Sequence, residues 1–257
     1  MHILKSLVIA FSIYSKIPVP QFEWKEEDMK YTLCFFPWVG AVIGGSIYLW
    51  SLLCKRFGVG ELCYAVVGTA IPLILTGGFH VDGFMDTMDA FHSYQPKEKK
   101  LEILKDSHIG AFAVIMLALY GLLYLGAFSE VTDEKILAVL CAGFFLTRAL
   151  SGIGVVSFPS AKKDGMLYLF ASNSEKNIVK GTLYLQSALC IGFMLVQSVF
   201  AGIVLTVAAF GAFAYYYWRT KKELGGITGD TAGYFVLLCE GSMMIAAAVL
   251  NFVMKVC

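Results

Sequence analysis

The chain is short of charged residues and rich in apolar ones. Only 15% of its 257 residues are Asp, Glu, Lys or Arg, and 58% are hydrophobic. Soluble domains carry about 25% charged residues, so this composition excludes an ordinary soluble fold. The formal net charge of +1 does not indicate an acidic partner, and we expect no nucleic acid. The seven cysteines stand singly in apolar segments without a Cys-x-x-Cys pair, which predicts neither a disulfide framework nor a zinc site.

Long apolar runs dominate the sequence instead. A bilayer core requires about 20 apolar residues per helical crossing. Candidate crossings lie at about 31–54, 61–79, 109–129, 135–157, 182–199, 200–218 and 232–254. The run 182–218 has no clear turn signal and must be split near Gln197 and Gly202, so six crossings remain possible. We therefore expect an all-α, polytopic transmembrane bundle of six to seven helices that forms a single integral membrane domain over residues 1–257.

The N-terminal segment and the basic residues bear on membrane orientation. The apolar stretch from Leu4 to Tyr14 is too short to cross a bilayer and ends before Pro18, which predicts an interfacial or re-entrant segment. Lysine and arginine concentrate in the N-terminal arm and in the 80–108, 158–180 and 219–231 loops, and seven crossings place all four on one side. The positive-inside rule predicts that this side faces the cytoplasm, across the cytoplasmic (inner) membrane of a prokaryote.

The densest polar cluster directly follows the second candidate crossing. Asp82, Asp86 and Asp89 are spaced so that a helix carries them within an arc of about 60°. Three anions on one face repel one another, whereas a hard divalent cation such as Mg²⁺ turns that repulsion into ligation. The alternative is a solvated helix start whose acids face the helix dipole. His80, in the same cluster, is more typical of a hydrogen-bonded packing residue than of a ligand or base.

A second polar cluster runs from Pro96 to Gly110 and has the pattern of a short amphipathic helix. Its lysines can meet phosphate oxygens, although a surface helix with Glu–Lys pairs is the favoured interpretation for residues 97–100. Asp106, Ser107 and His108, at the mouth of the next crossing, are the better functional candidates.

A third, glycine-rich cluster opens the last crossing. Glycines before a helix expose backbone N–H groups that can hold an anion, and Thr228, Gly229 and Asp230 supply hydroxyl, backbone and carboxylate groups. No Walker sequence is present, and a Thr or Asp helix cap with close helix packing is the plain alternative. Arg148 and Glu240 lie deep in candidate crossings, so they either pair with each other or Arg148 reaches the phosphate site.

These three clusters, in this order, resemble the cobalamin synthase family, the adenosylcobinamide-GDP ribazoletransferases. The similarity spans nearly the whole chain. It rests on Ser15-Lys16-Ile17-Pro18-Val19-Pro20, Phe36-Pro37-Trp38-Val39-Gly40, Gly77-Gly78-Phe79-His80-Val81-Asp82-Gly83 with Asp86-Thr87 and Asp89, Leu101-Glu102-Ile103-Leu104-Lys105-Asp106-Ser107 with Ile109-Gly110-Ala111-Phe112, and Gly225-Gly226-Ile227-Thr228-Gly229-Asp230-Thr231.

The sequence departs from the family pattern at a few positions. His108 and Lys162 stand where the family usually has arginine, Ala90 replaces a glycine, and Leu237 occupies a position often held by glutamate. These departures put phosphate affinity in doubt, whereas the aspartates of the three clusters are unchanged.

The resemblance implies an enzyme that joins adenosylcobinamide-GDP to α-ribazole or its 5′-phosphate, releasing GMP, with Mg²⁺ and at the membrane. It implies that Asp82, Asp86, Asp89 and Asp230 hold the metal and the diphosphate, and that Asp82, Asp89 or Asp106 acts catalytically, Asp89 or Asp106 being candidates for the base. Candidate substrate contacts are His80, Lys105, His108, Arg148, Lys162, Thr228 and Gly229. A homo-oligomer or an association with other cobalamin-assembly enzymes is left open.

Two other functions compete with this interpretation. A CDP-alcohol phosphotransferase also places aspartates on membrane helices. Its Asp-Gly-x-x-Ala-Arg element is missing here, because Asp82-Gly83-Phe84-Met85 is followed by Asp86 and Thr87 in place of Ala and Arg. An ion-coupled transporter would use Arg148 and Glu240 along its path. Against a transporter, the acids gather in loops on one side and the chain shows no repeated halves.

Overall fold

The computed structural model describes residues 2–256, and helices account for most of that range. Eleven α-helices, numbered α1 to α11 in chain order, span His2–Tyr14, Thr32–Phe57, Glu61–Thr76, Phe79–His92, Lys97–Ile103, Ala111–Glu130, Glu134–Ser157, Met166–Asn173, Lys176–Gln197, Val199–Leu224 and Gly229–Val256, and a 3₁₀ turn spans Glu26–Met29. Over residues 2–256 the only β-type pairing is an isolated parallel bridge between Ser160 and Ile227. The expected all-α fold is confirmed.

Six helices are long and apolar enough to cross a bilayer: α2, α6, α7, α9, α10 and α11. Helices α3 and α4 reach that length only together, and they are bent by 94° at the break between them. The predicted count of six to seven is therefore confirmed, and the chain is a multi-pass membrane protein. The second predicted crossing extended to residue 79, but α3 ends at Thr76 because Gly77 and Gly78 both adopt left-handed backbone conformations.

The long apolar run 182–218 is divided into two helices at a serine. Helix α9 ends at Gln197, and Ser198 is extended, with φ −161° and ψ 114°. Its hydroxyl accepts a hydrogen bond from the Ala201 N–H at 3.3 Å, which caps the start of α10. Gly202 then lets α10 approach the end of α9, because a β-carbon there would lie 2.9 Å from the Leu195 backbone nitrogen.

Helix α7 lies at the centre of the bundle. Its most apolar stretch is 83% buried, whereas that of α6 is only 17% buried and presents its side chains outward. Gly40 and Gly44 of α2 allow the closest approach to α7, since a β-carbon at either position would overlap the backbone carbonyl of Phe144 or Cys141. Small residues spaced in this way are typical of tight helix contacts in membranes.

The N-terminal helix α1 leads into a residue that contacts the bend between α3 and α4. It has 13 residues, too few to cross a bilayer, and packs against α2. Immediately after α1, the Lys16 N–H donates to the Leu75 carbonyl at 2.8 Å, and the aliphatic part of Lys16 covers Gly77. The interfacial position of this segment relative to a membrane stays a prediction.

Candidate active site

Helix α4 carries the three aspartates of the densest cluster. It begins immediately after the glycine bend and runs through all three positions, as their spacing predicted. Asp82 is exposed at the first turn, while Asp86 and Asp89 are half-buried on the following turns. Asp82 and Asp86 are four residues apart, so their side chains lie on the same face of the helix.

The start of α11 packs directly on α4. A β-carbon on Gly83 would lie 2.7 Å from the carbonyl oxygen of Asp230, and one on Gly233 would lie 2.9 Å from that of His80. This close approach brings Asp230 beside the α4 acids, and the Asp86 charge interacts with those of Asp82, Asp230 and Asp89. The functional role of Gly83 was not predicted from the sequence, although a glycine inside a helix is a signal of close backbone approach.

The glycine-rich turn before α11 is a reciprocal helix cap. The Thr228 hydroxyl accepts from the Thr231 N–H at 3.2 Å, and the Thr231 hydroxyl accepts from the Thr228 N–H at 2.8 Å. Thr228 also donates to a carboxylate oxygen of Asp230 at 3.3 Å, which orients that side chain. Gly229 faces open space, because a β-carbon there would meet nothing within 4 Å. The structure thus adopts the capping alternative for Thr228 and leaves Gly229 accessible.

The loop that follows α7 brings Lys162 to these acids. The Ile227 N–H donates to the Pro159 carbonyl at 2.9 Å, and the Ala161 N–H donates to the Ile227 carbonyl at 2.8 Å. This short parallel pairing places Lys162 where its charge interacts with Asp230 and Asp86. Partial burial lowers the pKa of the Lys162 ammonium, and the charges of these two carboxylates oppose that shift.

The loop that follows α5 meets the Lys162 segment across the site. Lys105 forms an ion pair with Asp164 at 3.3 Å, and both side chains are exposed. Asp106 accepts hydrogen bonds from the His108 backbone N–H at 3.0 Å and from the His108 ring nitrogen Nδ1 at 2.6 Å. These bonds from His108 lower the pKa of Asp106, which makes it a weaker base than an ordinary aspartate.

Asp89 has a structural partner that the sequence did not predict. One carboxylate oxygen accepts from the Gly110 N–H at 2.7 Å, and the other accepts from the Ala113 N–H at 2.8 Å. Asp89 therefore caps the first turn of α6 from the neighbouring helix, where its charge is also favoured by the helix dipole. Each oxygen keeps a second lone pair, so these hydrogen bonds fix the orientation of the Asp89 carboxylate without excluding metal binding or base catalysis.

The remaining acids have the oxygen donor atoms that a hard cation prefers. Asp82, Asp86 and Asp230 offer carboxylate oxygens, which are the ligands that Mg²⁺ prefers. Over residues 2–256, however, no three His, Cys, Asp or Glu side chains converge closely enough to form a metal site in their present conformations. A bound cation therefore requires these carboxylates to rotate toward it, and the magnesium site stays a prediction.

Arg148 and His80 are buried in the bundle interior, unlike the exposed Asp82. Arg148 is 1% exposed and donates to Glu240 at 2.5 Å and to the Phe144 carbonyl at 3.0 Å. The two interior charges thus pair with each other. His80 is 4% exposed. It lines a cavity of about 80 Å³ together with Tyr124, Arg148 and Glu240.

The amphipathic helix predicted from Pro96 to Gly110 is shorter in the structure. Helix α5 ends at Ile103, and the rest of the segment is irregular. The predicted surface Glu–Lys pairing occurs between Lys99 and Glu102, at 2.8 Å. The surface interpretation is wrong for Lys100, which is 7% exposed and pairs with Glu223 of α10 at 2.5 Å. This ion pair attaches α5 to the bundle beside the loop that carries Lys105 and Asp106.

Comparison with known proteins identifies the chain's relatives. The family model for cobalamin-5-phosphate synthase matches residues 6–248. A protein of Lachnoclostridium phytofermentans named adenosylcobinamide-GDP ribazoletransferase is 43% identical over 241 residues, covering 93% of this chain and 92% of the relative. A protein of the same name from Clostridium perfringens strain 13 is 34% identical, and the match covers 92% of this chain and 94% of the relative. One from Listeria monocytogenes is 31% identical, and the match covers 90% of this chain and 92% of the relative.

No solved structure matches the chain significantly. The sequence similarity nevertheless extends through all the elements that form the candidate site, from the aspartate helix to the start of α11. By the extent of the family match and by identities above 30% over nine-tenths of its length, the chain belongs to the cobalamin-5-phosphate synthase family.

Proposed function

We propose that this chain joins adenosylcobinamide-GDP to α-ribazole, or to α-ribazole 5′-phosphate, and releases GMP in the nucleotide-loop assembly of cobalamin. The names of the relatives supply the substrates. The observation that carries the proposal is the junction of α4 and α11, where Asp86 interacts with Asp82, Asp230 and Lys162. Carboxylates for a cation and an ammonium for phosphate oxygens are what a displacement at a diphosphate requires.

The reaction is a substitution at phosphorus. The ribazole hydroxyl oxygen forms a bond to the phosphorus that carries cobinamide, the bond from that phosphorus to the GMP oxygen breaks, and GMP leaves with the electron pair. The hydroxyl proton passes to a base. Bound Mg²⁺ would neutralise charge that develops on the diphosphate oxygens.

Individual roles follow from the contacts of each group. We assign cation binding to Asp86 and Asp230, with Asp82 as a further ligand or as the base. Asp89 caps α6, and Asp106 is weakened as a base by its hydrogen bonds to His108. Lys162 would bind the diphosphate from the opposite side of the site.

Lys105, His108 and Gly229 are further proposed contacts at the rim. Lys105 and His108 are exposed beside this site, and Gly229 opens to solvent at the start of α11. The two basic side chains would have to leave their present acidic partners to meet phosphate.

The membrane setting is part of the proposal. The basic loops predict that the site faces the cytoplasm across the cytoplasmic membrane. Soluble substrates then reach the site without crossing the bilayer. The family match argues against a CDP-alcohol phosphotransferase. Because Arg148 and Glu240 pair with each other in the interior, they give no support to a transport path.

The test is turnover by purified protein in detergent. GMP release and cobalamin formation are measured from adenosylcobinamide-GDP and α-ribazole, with Mg²⁺ and after chelation by EDTA. Asp86→Asn preserves side-chain shape and removes the charge, so we expect it to abolish metal-dependent turnover.

The matched control is Asp133→Asn at the start of α7. Asp133 caps that helix, and asparagine is an equally good cap, so this substitution also removes one carboxylate but should preserve activity. Turnover that persists in EDTA and in folded Asp86→Asn protein would contradict the metal assignment. Absence of turnover in folded wild-type protein would contradict the function itself.

A further inference from the structure

An aromatic pocket lies against the start of α11, formed by the rings of Tyr14, Phe36, Phe79, His80 and Phe170. The rings come from α1, α2, α4 and α8, and Tyr14 lies near the centre of the group. Its ring centroid is 4.1 Å from that of Phe36, 6.2 Å from that of His80 and 6.4 Å from that of Phe170. The separations from His80 and Phe170 lie in the range typical of attractive aromatic pairs, and the Tyr14–Phe36 contact is closer still.

The pocket also contains polar groups with capacity for a ligand. His80 is 96% buried, and its Nε2 atom has no hydrogen-bond partner among the described residues. Ser151, also buried, adds a hydroxyl to the lining. An unpaired buried nitrogen is costly, so His80 Nε2 is available to hydrogen-bond with a bound group.

One wall of the pocket is the start of α11. Gly229, Ala232 and Gly233 line it, and Asp230 directly follows the first of these glycines. A molecule in the pocket would therefore contact the helix turn that carries Asp230. A ligand with an aromatic part in the pocket can extend its remaining atoms toward the carboxylates of α4 and α11.

We propose that the aromatic pocket binds the base of the acceptor nucleoside, and this inference rests on the proposed function. The base of α-ribazole is a flat, mostly apolar bicycle with one free ring nitrogen, which His80 can meet as a donor. Face and edge contacts with the four other rings hold the base, and the attached sugar then presents its hydroxyl to the carboxylate site. Acceptor specificity is set here.

The chemistry of the pocket disfavours guanine, the other base in the reaction. Guanine carries several donors and acceptors, whereas the pocket offers a histidine nitrogen and the hydroxyls of Ser151 and Tyr14 among apolar groups. Burying guanine would leave polar groups unpaired, at a cost for each group. A base with a single ring nitrogen avoids that cost.

The pocket must widen to admit a bicyclic base. Its volume is about 60 Å³, and cavities that bind benzene measure about 150 Å³. The outer wall is formed by Met166, Leu167 and Phe170 of α8, a helix of only eight residues. Binding therefore includes an outward shift of α8.

The test compares Phe170→Leu with Phe128→Leu in detergent-solubilised protein. Both phenylalanines are fully buried, but Phe128 stacks on Tyr64 at 5.0 Å, near the opposite end of α6 from the site. We expect Phe170→Leu to raise the KM for α-ribazole about tenfold, because the base loses its contacts with the Phe170 ring. Its KM for adenosylcobinamide-GDP should not change, and Phe128→Leu should change neither KM.

Equilibrium binding separates failure of the pocket from failure of the proposed function. Calorimetric titration with α-ribazole alone should show an affinity about tenfold lower for Phe170→Leu than for wild type, whether or not turnover occurs. Binding with this difference but without turnover would support the pocket and contradict the function. If Phe170→Leu does not fold, Ser151→Ala replaces it, with an expected loss of about fivefold.

Three results would overturn the inference. An acceptor KM and affinity that are unchanged in the pocket variant would show that the base binds elsewhere. A raised KM for adenosylcobinamide-GDP alone would place guanine in the pocket. If folded wild-type protein shows no calorimetric binding of α-ribazole, α-ribazole is not the ligand of this pocket.

Discussion

Substituting Gly83 by alanine tests whether the close contact of α4 and α11 positions the catalytic groups. The new β-carbon would lie 2.7 Å from the Asp230 carbonyl oxygen and 2.9 Å from its α-carbon. Both are backbone atoms and cannot rotate away, so the helices must separate. Reaching an ordinary contact distance of 3.4 Å from 2.7 Å requires a shift of about 0.7 Å.

The shift should affect activity more than folding. Overpacking of this kind costs about 1–3 kcal/mol of stability, which thermal unfolding in detergent would measure. Misplacement of reacting groups by about 1 Å can cost 10²-fold in rate, so we expect kcat to fall by roughly 10- to 100-fold. GMP release at saturating substrate is the assay.

Gly45→Ala is the matched control for Gly83→Ala. Gly45 lies within α2, and a β-carbon there meets nothing within 4 Å. Alanine should therefore be neutral or stabilise the helix by about 0.5–1 kcal/mol, with normal turnover. A folded Gly83→Ala protein whose kcat stays within about twofold of wild type would refute the view that this contact sets the site geometry.

Three further predictions concern single charges. Asp89→Asn should destabilise the protein by about 0.5–2 kcal/mol, because one of the two backbone N–H groups at the start of α6 loses its acceptor. Thermal unfolding measures this loss, and unchanged stability would argue against the cap. Glu240→Ala leaves Arg148 buried without a counter-charge and should cost about 3–5 kcal/mol, whereas a variant as stable as wild type would show that the pair is dispensable. The pKa of Lys162 is lowered, so wild-type kcat/KM should decline as the pH rises through this lowered pKa and the ammonium becomes neutral. Lys162→Arg keeps its charge and should stay active to higher pH. Superimposable pH profiles of the two proteins would contradict the role of this charge.

Local pattern was sufficient to predict most of the helices. Apolar runs located the crossings within a few residues, because length and hydropathy decide whether a segment can span a bilayer. The exceptions have local causes. Gly77 and Gly78 end α3 early by adopting left-handed conformations, and Ser198 divides α9 from α10 as a helix cap. A single serine within an apolar run is a weak signal, so the division was placed only approximately.

The candidate site was less predictable, because its partners are distant in sequence. Helical spacing placed three aspartates on α4, but it gave no indication that Asp89 reaches the backbone of α6, 21 and 24 residues away. The pairing of residues 159–161 with Ile227 involves no periodic pattern, so the position of Lys162 beside Asp230 followed only from the structure. Burial of Lys100 against Glu223 likewise depends on how α5 docks.

Charge pairing in the structure distinguishes structural ionisable groups from the proposed catalytic ones. In the bundle interior, Arg148 and Glu240 neutralise each other, as burial of charge requires. At the junction of α4 and α11, Asp82, Asp86 and Asp230 instead face one another, with Lys162 as the nearby cation. Such repulsion is stable only where water reaches the carboxylates or a cation joins them. The 94° bend supplies that setting, because it turns α4 away from the direction of α3 and leaves Asp82 exposed at its first turn.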